Sequence, residues 1–387
     1  MSPAASPRPP GLKRVMLVIT GLDVGGAEIQ IVLLSRELIA LGLDVAVVSL
    51  TPPVKFADDL TRDGATVFDL GMRKRRADIG SVRLFARLVR EWRPDIIHTH
   101  MFHANMLGRL LKLAHSRVPL ISTSHSQDDF GGSKIRAWLY RVSRSLPDFT
   151  TSVSRRATDM YIRSGAFHPN RSGHIPNGLS VEDFMRPSGS ARKSTESWAR
   201  GESFVWLAVG RLVGAKDYPC LFQAIAMLRE QGCRSIHLVV AGDGKDRPQL
   251  EEELRRLDLT AVVTLLGNRS DVRELMLSAD GFVMSSILEG MPMALLEAMA
   301  TPLPVVCTDV GDNEEIAKLS AVSIVVPTRN PALLAQAMNE IMSASAEAVS
   351  LETLRAKEQI LQTYSIRAVA NKWLQLYGKA IGMRRPS

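Results

Sequence analysis

The sequence predicts an α/β protein built from two doubly wound, mostly parallel sheets. Three observations carry that prediction. Short apolar runs alternate with amphipathic helical patterns from residue 13 to about residue 380. The length, 387 residues, is more than one core ordinarily serves. A polar stretch containing Ser, Gly and Pro, residues 186–202, divides the alternation into two halves.

Residues 1–12 are a Ser/Ala/Pro-rich tail, expected to be disordered. The first domain, 13–185, has candidate strands at Val15–Ile19, Val45–Leu50, Thr66–Leu70, Ile96–His98, Leu120–Thr123 and Phe149–Ser152. Between them, Glu28–Leu41, Val82–Trp92, Ala104–Ala114 and Lys134–Leu146 place apolar residues three and four apart, the helical period. The second domain, 203–365, repeats the pattern with strands at Phe204–Val209, Ile236–Ala241, Val262–Leu266, Gly281–Met284, Val305–Cys307 and Ser323–Val326. Helices at Tyr218–Arg229, Gln249–Leu257 and Leu333–Met342 separate these strands, and residues 366–387 add a last helix. Ligands of such sheets bind at the carboxyl ends of the strands, so two domains imply a cleft there.

Hydrophobic content of 45% with 23% charge is that of a globular chain. No run reaches the roughly 18–20 apolar residues that span a bilayer. Three cysteines without C-x-x-C spacing fit a reduced cytoplasmic protein with no cysteine metal site. The net charge of +8 is uneven: residues 13–185 hold 24 Lys/Arg against 17 Asp/Glu, whereas 201–387 hold 19 against 22. A basic half suits an anionic membrane surface or a phosphorylated substrate. Nucleic acid fits poorly, because no face interleaves aromatic and basic residues.

The most informative stretch is Ser285 to Pro302, in which Glu289 and Glu297 stand eight residues apart in an otherwise uncharged run. A strand precedes Glu289, and Pro292 suits the first turn of a helix that carries Glu297. The amides and dipole of that helix make its start a seat for phosphate. A buried Glu297 needs strong donors, which sugar hydroxyls are; a solvated face is the plainer reading. Arg211 and Lys216, in Gly210-Arg211-Leu212-Val213-Gly214-Ala215-Lys216, sit between strand and helix, where two cations could clamp a diphosphate or simply be exposed. Ala241-Gly242-Asp243-Gly244-Lys245 reads as a turn into a helix, and Gly25-Gly26 as a close-approach turn after the first strand. His98, His100 and His103 cluster at one strand end and His125 follows the next; no carboxylate or cysteine shares a metal-ligand spacing with them. No Asp-x-Asp pair occurs in the chain, which argues against metal-bridged diphosphate chemistry. The stripe Ile135, Trp138, Leu139, Val142, Leu146 is expected to pack on the domain core, with a membrane surface as the alternative that Arg73-Lys74-Arg75-Arg76 also favours.

Together these residues resemble the retaining GT-B glycosyltransferases of family 4, from about residue 13 to 380. Gly25-Gly26-Ala27-Glu28 is similar to the family's Gly-Gly-x-Glu loop, Ile175-Pro176-Asn177-Gly178 to its Pro-Asn-Gly signature, and Gly210-Arg211-Leu212 with Lys216 to its phosphate motif. Glu289 and Glu297 match Glu-x7-Glu, and Ile97–His103 with Thr123-Ser124-His125 resembles the bacterial exopolysaccharide or capsule subset. Met291-Pro292 departs from the usual Phe-Gly, and Asp217 replaces a frequent glycine.

The resemblance implies two Rossmann-like domains facing across a cleft, with the acceptor on the first, the nucleotide-sugar on the second, and the last helix crossing back. It gives Glu297 the ribose, Glu289 the transferred sugar, Arg211 and Lys216 the diphosphate, and His125 the sugar–acceptor junction. Gly25, Gly26, Gly267, Gly290, Met291 and Leu295 complete the implied donor site. No metal or other cofactor is implied, and the expected acceptor is a lipid-linked saccharide at the cytoplasmic face of the plasma membrane. A nucleotide-sugar epimerase of the same build, or a non-catalytic nucleotide-sugar-binding partner of membrane assembly, are the alternatives.

Overall fold

The computed structural model describes residues 8–23, 25–53, 55–72, 79–114, 117–127, 130–181, 184 and 203–383. The basic Arg73–Arg76 loop and the 186–202 linker lie outside these residues. The chain divides into two compact units, one made of residues up to Ser180 together with Tyr364 onward, the other of Val181–Thr363.

The first unit holds a seven-stranded parallel sheet: β1 (Arg14–Ile19), β2 (Asp44–Ser49), β3 (Thr66–Asp69), β4 (Ile96–His100), β5 (Leu120–Ser124), β6 (Phe149–Ser152) and β7 (Ser172–His174). Their order across the sheet is β3-β2-β1-β4-β5-β6-β7. The run Val15-Met16-Leu17-Val18-Ile19 is apolar throughout because both faces of β1 are covered. Val15, Leu17 and Ile19 enter a core with the Gly26–Ala40 helix, while Met16 and Val18 enter a second core with the Ile79–Trp92 and Phe102–Leu113 helices. Period-two alternation within the strand therefore feeds both layers at once.

The Ile366–Gly382 helix belongs to this unit. Ser365 caps it, accepting from the Ala368 N–H at 3.2 Å. Val369, Ala370, Trp373, Leu374 and Tyr377, at helical spacing, are buried with Ile31 and Leu38 of the first helix. Each large side chain so buried contributes about 1.5–3 kcal/mol. The Pro176-Asn177-Gly178 signature marks where the chain leaves this unit and returns to it. Leu179 N–H donates to Tyr364 O and Ile366 N–H to Leu179 O, both at 2.7 Å. A Cβ on Gly178 would stand 2.9 Å from Ile366 Cα, so only glycine lets the two segments touch. Leu12, expected in the tail, is fully buried in the same core.

The second unit holds a six-stranded parallel sheet: β8 (Phe204–Val209), β9 (Ile236–Ala241), β10 (Val263–Gly267), β11 (Gly281–Met284), β12 (Val305–Thr308) and β13 (Ser323–Val326). Its order, β10-β9-β8-β11-β12-β13, repeats that of the first sheet. Both are doubly wound, with the reversal of winding between β1 and β4 in one sheet and between β8 and β11 in the other.

One expectation is corrected. The apolar stripe after Lys134 does not pack on the core: Ile135, Trp138 and Val142 are 71%, 58% and 60% exposed. Tyr140 takes the inward position instead, its ring beneath the Arg109 guanidinium at 4.3 Å and its hydroxyl accepting from Asn105 Nδ2 at 2.9 Å. The helix also ends at Val142 rather than Leu146, where the Ser143 hydroxyl turns back onto Leu139 O.

Candidate functional site

In the second unit, four of the singled-out side chains lie on the two segments that follow β8 and β11, the strands flanking the reversal of winding. The loop after β8 carries Arg211 and Lys216, and the segment after β11 carries Glu289 and Glu297. Lys216 Nζ lies 2.5 Å from Glu289 Oε1, both side chains being largely buried. The same oxygen accepts from the Ser286 hydroxyl at 2.7 Å, and the Ser285 hydroxyl donates to Lys216 O at 2.8 Å. Ile287 N–H donates to Ala215 O at 2.9 Å, so the two loops are joined by backbone as well. The Lys216 stem runs across Gly210, where an added Cβ would stand 2.9 Å from Lys216 Cε. Arg211 is exposed and has no ion pair among the described residues.

The Met293–Ala300 helix starts directly after Pro292, and its first-turn amides have no intrahelical acceptors. Glu297 is half-buried on it, and its carbonyl accepts from Thr301. Leu295 is fully buried and Met291 is 5% exposed, which leaves their backbone rather than their side chains for a ligand. Gly290 O accepts from Asp312 N–H at 3.3 Å, and Gly311 (φ 56°) passes so close that its Cβ would lie 2.3 Å from that oxygen. Gly267 ends β10 with φ 71° and accepts through its carbonyl from Gly242 N–H at 2.8 Å.

The Ala241–Lys245 segment, expected as a turn into a helix, is that and also a brace. Leu212 N–H donates to Asp243 O at 3.0 Å, and Cβ atoms on Gly242 and Gly244 would lie 2.0 and 2.3 Å from Gly210 O and Leu212 O. Sequence reasoning assigned no role to Ser285, Ser286, Gly242, Gly244 or Gly311. The glycines were visible as residues, but what they abut comes from other strands.

In the first unit, the histidines separate by environment. His98 is fully buried, with Nδ1 2.8 Å from the Tyr377 hydroxyl and Nε2 2.7 Å from Thr123 Oγ1. His100 Nδ1 lies 2.9 Å from His125 Nε2. His103, on the first turn of the Phe102–Leu113 helix, is exposed. Burial holds His98 and His100 well below the usual histidine range and brings His125 down to about 4, so all three are neutral at neutral pH. Among the described residues no group of three or more His, Cys, Asp and Glu is placed to hold a metal ion. Gly25 precedes the Gly26–Ala40 helix in extended conformation, and a Cβ there would meet the Glu28 carboxylate. No helix among the described residues is long and apolar enough to cross a membrane.

Comparison with known proteins agrees with this arrangement. The family model "Glycosyltransferase Family 4" matches residues 24–183, and "Glycosyl transferases group 1" matches 191–356. EpsF of Bacillus subtilis, a protein assigned to the glycosyltransferases, is 28% identical over 307 residues, covering 77% of this chain and 79% of that one. The UDP-Gal:alpha-D-GlcNAc-diphosphoundecaprenol alpha-1,3-galactosyltransferase of Escherichia coli is 26% identical over 252 residues, 62% of this chain and 64% of that protein. Among solved structures, HepE of Anabaena in complex with UDP superposes with a TM-score of 0.78 at 18% identity, covering 94% of this chain and 99% of that one. With one glycosyltransferase model over each half and two doubly wound sheets beneath them, the chain belongs to the GT-B glycosyltransferases.

Proposed function

We propose that this enzyme transfers a hexosyl group from a UDP- or GDP-linked sugar to a lipid-linked glycan acceptor in the synthesis of a cell-surface polysaccharide such as exopolysaccharide or capsule. In this reading transfer retains configuration, needs no metal ion, and takes place at the anionic inner face of the plasma membrane. The observation that carries it is the Lys216–Glu289 pair beside the start of the Met293–Ala300 helix, at the carboxyl ends of β8 and β11. A cation, a carboxylate and helix amides gathered there match a ligand whose diphosphate adjoins a hydroxylated sugar. The UDP bound by HepE and the diphosphoundecaprenol substrate in the name of the E. coli relative support the donor and acceptor classes.

Arg211, Lys216 and the helix amides take the diphosphate, Glu297 the ribose hydroxyls and Glu289 the hydroxyls of the transferred sugar. Backbone at Gly25, Gly26, Gly267, Gly290, Met291 and Leu295 supplies further contacts, and His125 faces the sugar–acceptor junction. When the bond from the anomeric carbon to the β-phosphate oxygen breaks, negative charge grows on the diphosphate and the ring becomes oxocarbenium-like. Each cation or amide aimed at that charge accelerates the step by roughly 10²–10³-fold. The acceptor hydroxyl attacks from the departing side and gives its proton to the phosphate, so no protein nucleophile is required. Arg211 and Lys216 supply positive charge that a metal would otherwise provide, in keeping with the missing Asp-x-Asp pair. Membrane attachment rests on the exposed Ile135, Trp138 and Val142 beside Lys134, Arg141 and Arg144.

The test is calorimetry with a panel of UDP-, GDP- and ADP-sugars, followed by transfer to a lipid-linked acceptor in EDTA-treated buffer and assignment of the product anomer. Glu297→Gln should weaken nucleotide binding by about 1.5–3 kcal/mol, the worth of a charge-assisted hydrogen bond. Unchanged affinity in that variant removes the ribose assignment. Restoration only by added Mg²⁺ or Mn²⁺ removes metal independence, and isomerisation of the sugar without any acceptor favours an epimerase.

A further inference from the structure

The His100–His125 contact gives His100 a task that its burial alone does not explain. At 2.9 Å, His100 Nδ1 and His125 Nε2 share one proton, one nitrogen donating and the other accepting. The far nitrogen of His100, Nε2, is buried and has no hydrogen-bond partner among the described residues. Two proton placements satisfy the short contact. With the proton of His100 on Nε2, a buried N–H is left without an acceptor, an arrangement that folded proteins rarely tolerate. With the proton on Nδ1, only a lone pair goes unmatched, and Nδ1–H donates to His125 Nε2. The second placement is the less costly.

Two neighbours hold His100 in place. The His98 ring lies 3.9 Å away between centroids and has both of its own nitrogens engaged, so it offers His100 Nε2 no proton. The next residue, Met101, has φ 71° and ψ 163°, a region almost confined to glycine, and such strain persists only where the surroundings fix the chain. Because both rings are neutral, the accepting Nε2 of His125 leaves its single proton on Nδ1. That nitrogen has no partner among the described residues, and His125 is part-exposed at the carboxyl end of β5.

We infer that His100 is a positioning residue whose Nδ1–H bond to His125 Nε2 locks His125 in the Nδ1–H tautomer, so that His125 offers its ligand a hydrogen-bond donor and not a base. The matching ligand atom is an oxygen lone pair, which a hydroxyl of the transferred sugar provides; this part rests on the function proposed above. A protonated Nδ1 and an occupied Nε2 leave His125 nowhere to accept the proton of the acceptor hydroxyl.

The test reads the tautomer directly. Two-bond proton–nitrogen correlation spectra of the full-length protein with ¹⁵N-labelled histidine, at pH 7.5 and without substrate, assign His125 by its loss in His125→Gln. We expect a pyrrole-type Nδ1 and a pyridine-type Nε2. His100→Ala should exchange the two shifts towards the Nε2–H form that free histidine prefers, and His100→Asn, whose amide can donate from near the Nδ1 position, should restore them. A pyridine-type Nδ1 in the wild type overturns the inference, as does an unchanged His125 pattern in a folded His100→Ala protein. If His100→Ala does not fold, the wild-type spectrum alone decides. Since no substrate is present, the result stands apart from the donor and acceptor assignments, which fail only in the binding and transfer assays.

Discussion

Asp217 sits where the backbone asks for glycine, with φ 46° and ψ 48°, directly after Lys216. Its side chain makes no capping hydrogen bond to the helix that follows, so nothing local offsets the left-handed conformation. Asp217→Gly should therefore stabilise the second unit by about 1 kcal/mol, read as a rise in melting temperature, while a β-branched residue there should lower it. A fall in Asp217→Gly would mean that the carboxylate contributes elsewhere. Lys112 and Asp148 make the opposite case, a pair at 2.8 Å with side chains only 6% and 7% exposed. Lys112→Met takes the countercharge from a buried Asp148 carboxylate that also accepts from the Leu120 N–H at 2.8 Å, so it should cost about 3–5 kcal/mol in urea unfolding. A second substitution, Asp148→Asn, which removes the charge and keeps an acceptor for that N–H, should recover part of the loss. At this scale the sequence shows chemistry better than company. Glu289 and Glu297 stood out because an uncharged run surrounds them, but nothing along the chain foretold that Lys216, 73 residues earlier, would meet Glu289.

Among the elements, the Lys134–Val142 helix shows how far periodicity reaches. The spacing of Ile135, Trp138 and Val142 defines a stripe but not the side of the helix that faces the core. Asn105 and Arg109, from the preceding helix, settle that by holding Tyr140 inward. An exposed apolar stripe flanked by cations predicts salt-sensitive attachment to anionic vesicles, with Ile135→Ser, Trp138→Ser and Val142→Ser together abolishing flotation and leaving the melting temperature unchanged. Equal flotation with neutral vesicles would remove the electrostatic part of the reading. Elements that escaped the sequence are mostly brief. The strand Ser172–His174 and the helices Ala57–Arg62, Val272–Ser278 and Asn313–Ala317 are too short to display a period and exist because neighbours hold them. The longer Ala346–Tyr364 helix escaped for another reason: its Leu351 and Leu354 face outward, which blurs the pattern.

For the molecule as a whole, the twelve strands read from the sequence are all present, because doubly covered strands leave long apolar runs that anyone can count. The histidines add a pH dependence. His98, His100 and His125 have folded-state values below the unfolded value near 6.5, so the unfolded chain binds more protons as the medium becomes acid. Their contribution to stability is complete above about pH 6.5 and is lost below it, at up to roughly 1.4 kcal/mol per pH unit per histidine. For His125 the loss continues to about pH 4. Denaturant titrations from pH 7.5 to 5 should show this in the first unit, and His98→Asn should flatten the slope. A stability that does not change across that range would contradict the buried neutral assignment.

Because Tyr364 and all that follows belong to the first unit, that unit is written in the gene as two separated pieces. On the ribosome the first 180 residues emerge before the last helix exists; Val369 and Trp373, which line one small cavity with Leu34 of the first helix, are not made until the whole second unit has been translated. The order of maturation is thus the reverse of the order of synthesis: the second unit can close while the first is still waiting for its cover. During that interval the first unit lacks part of its own core, which only the last stretch of the chain can complete.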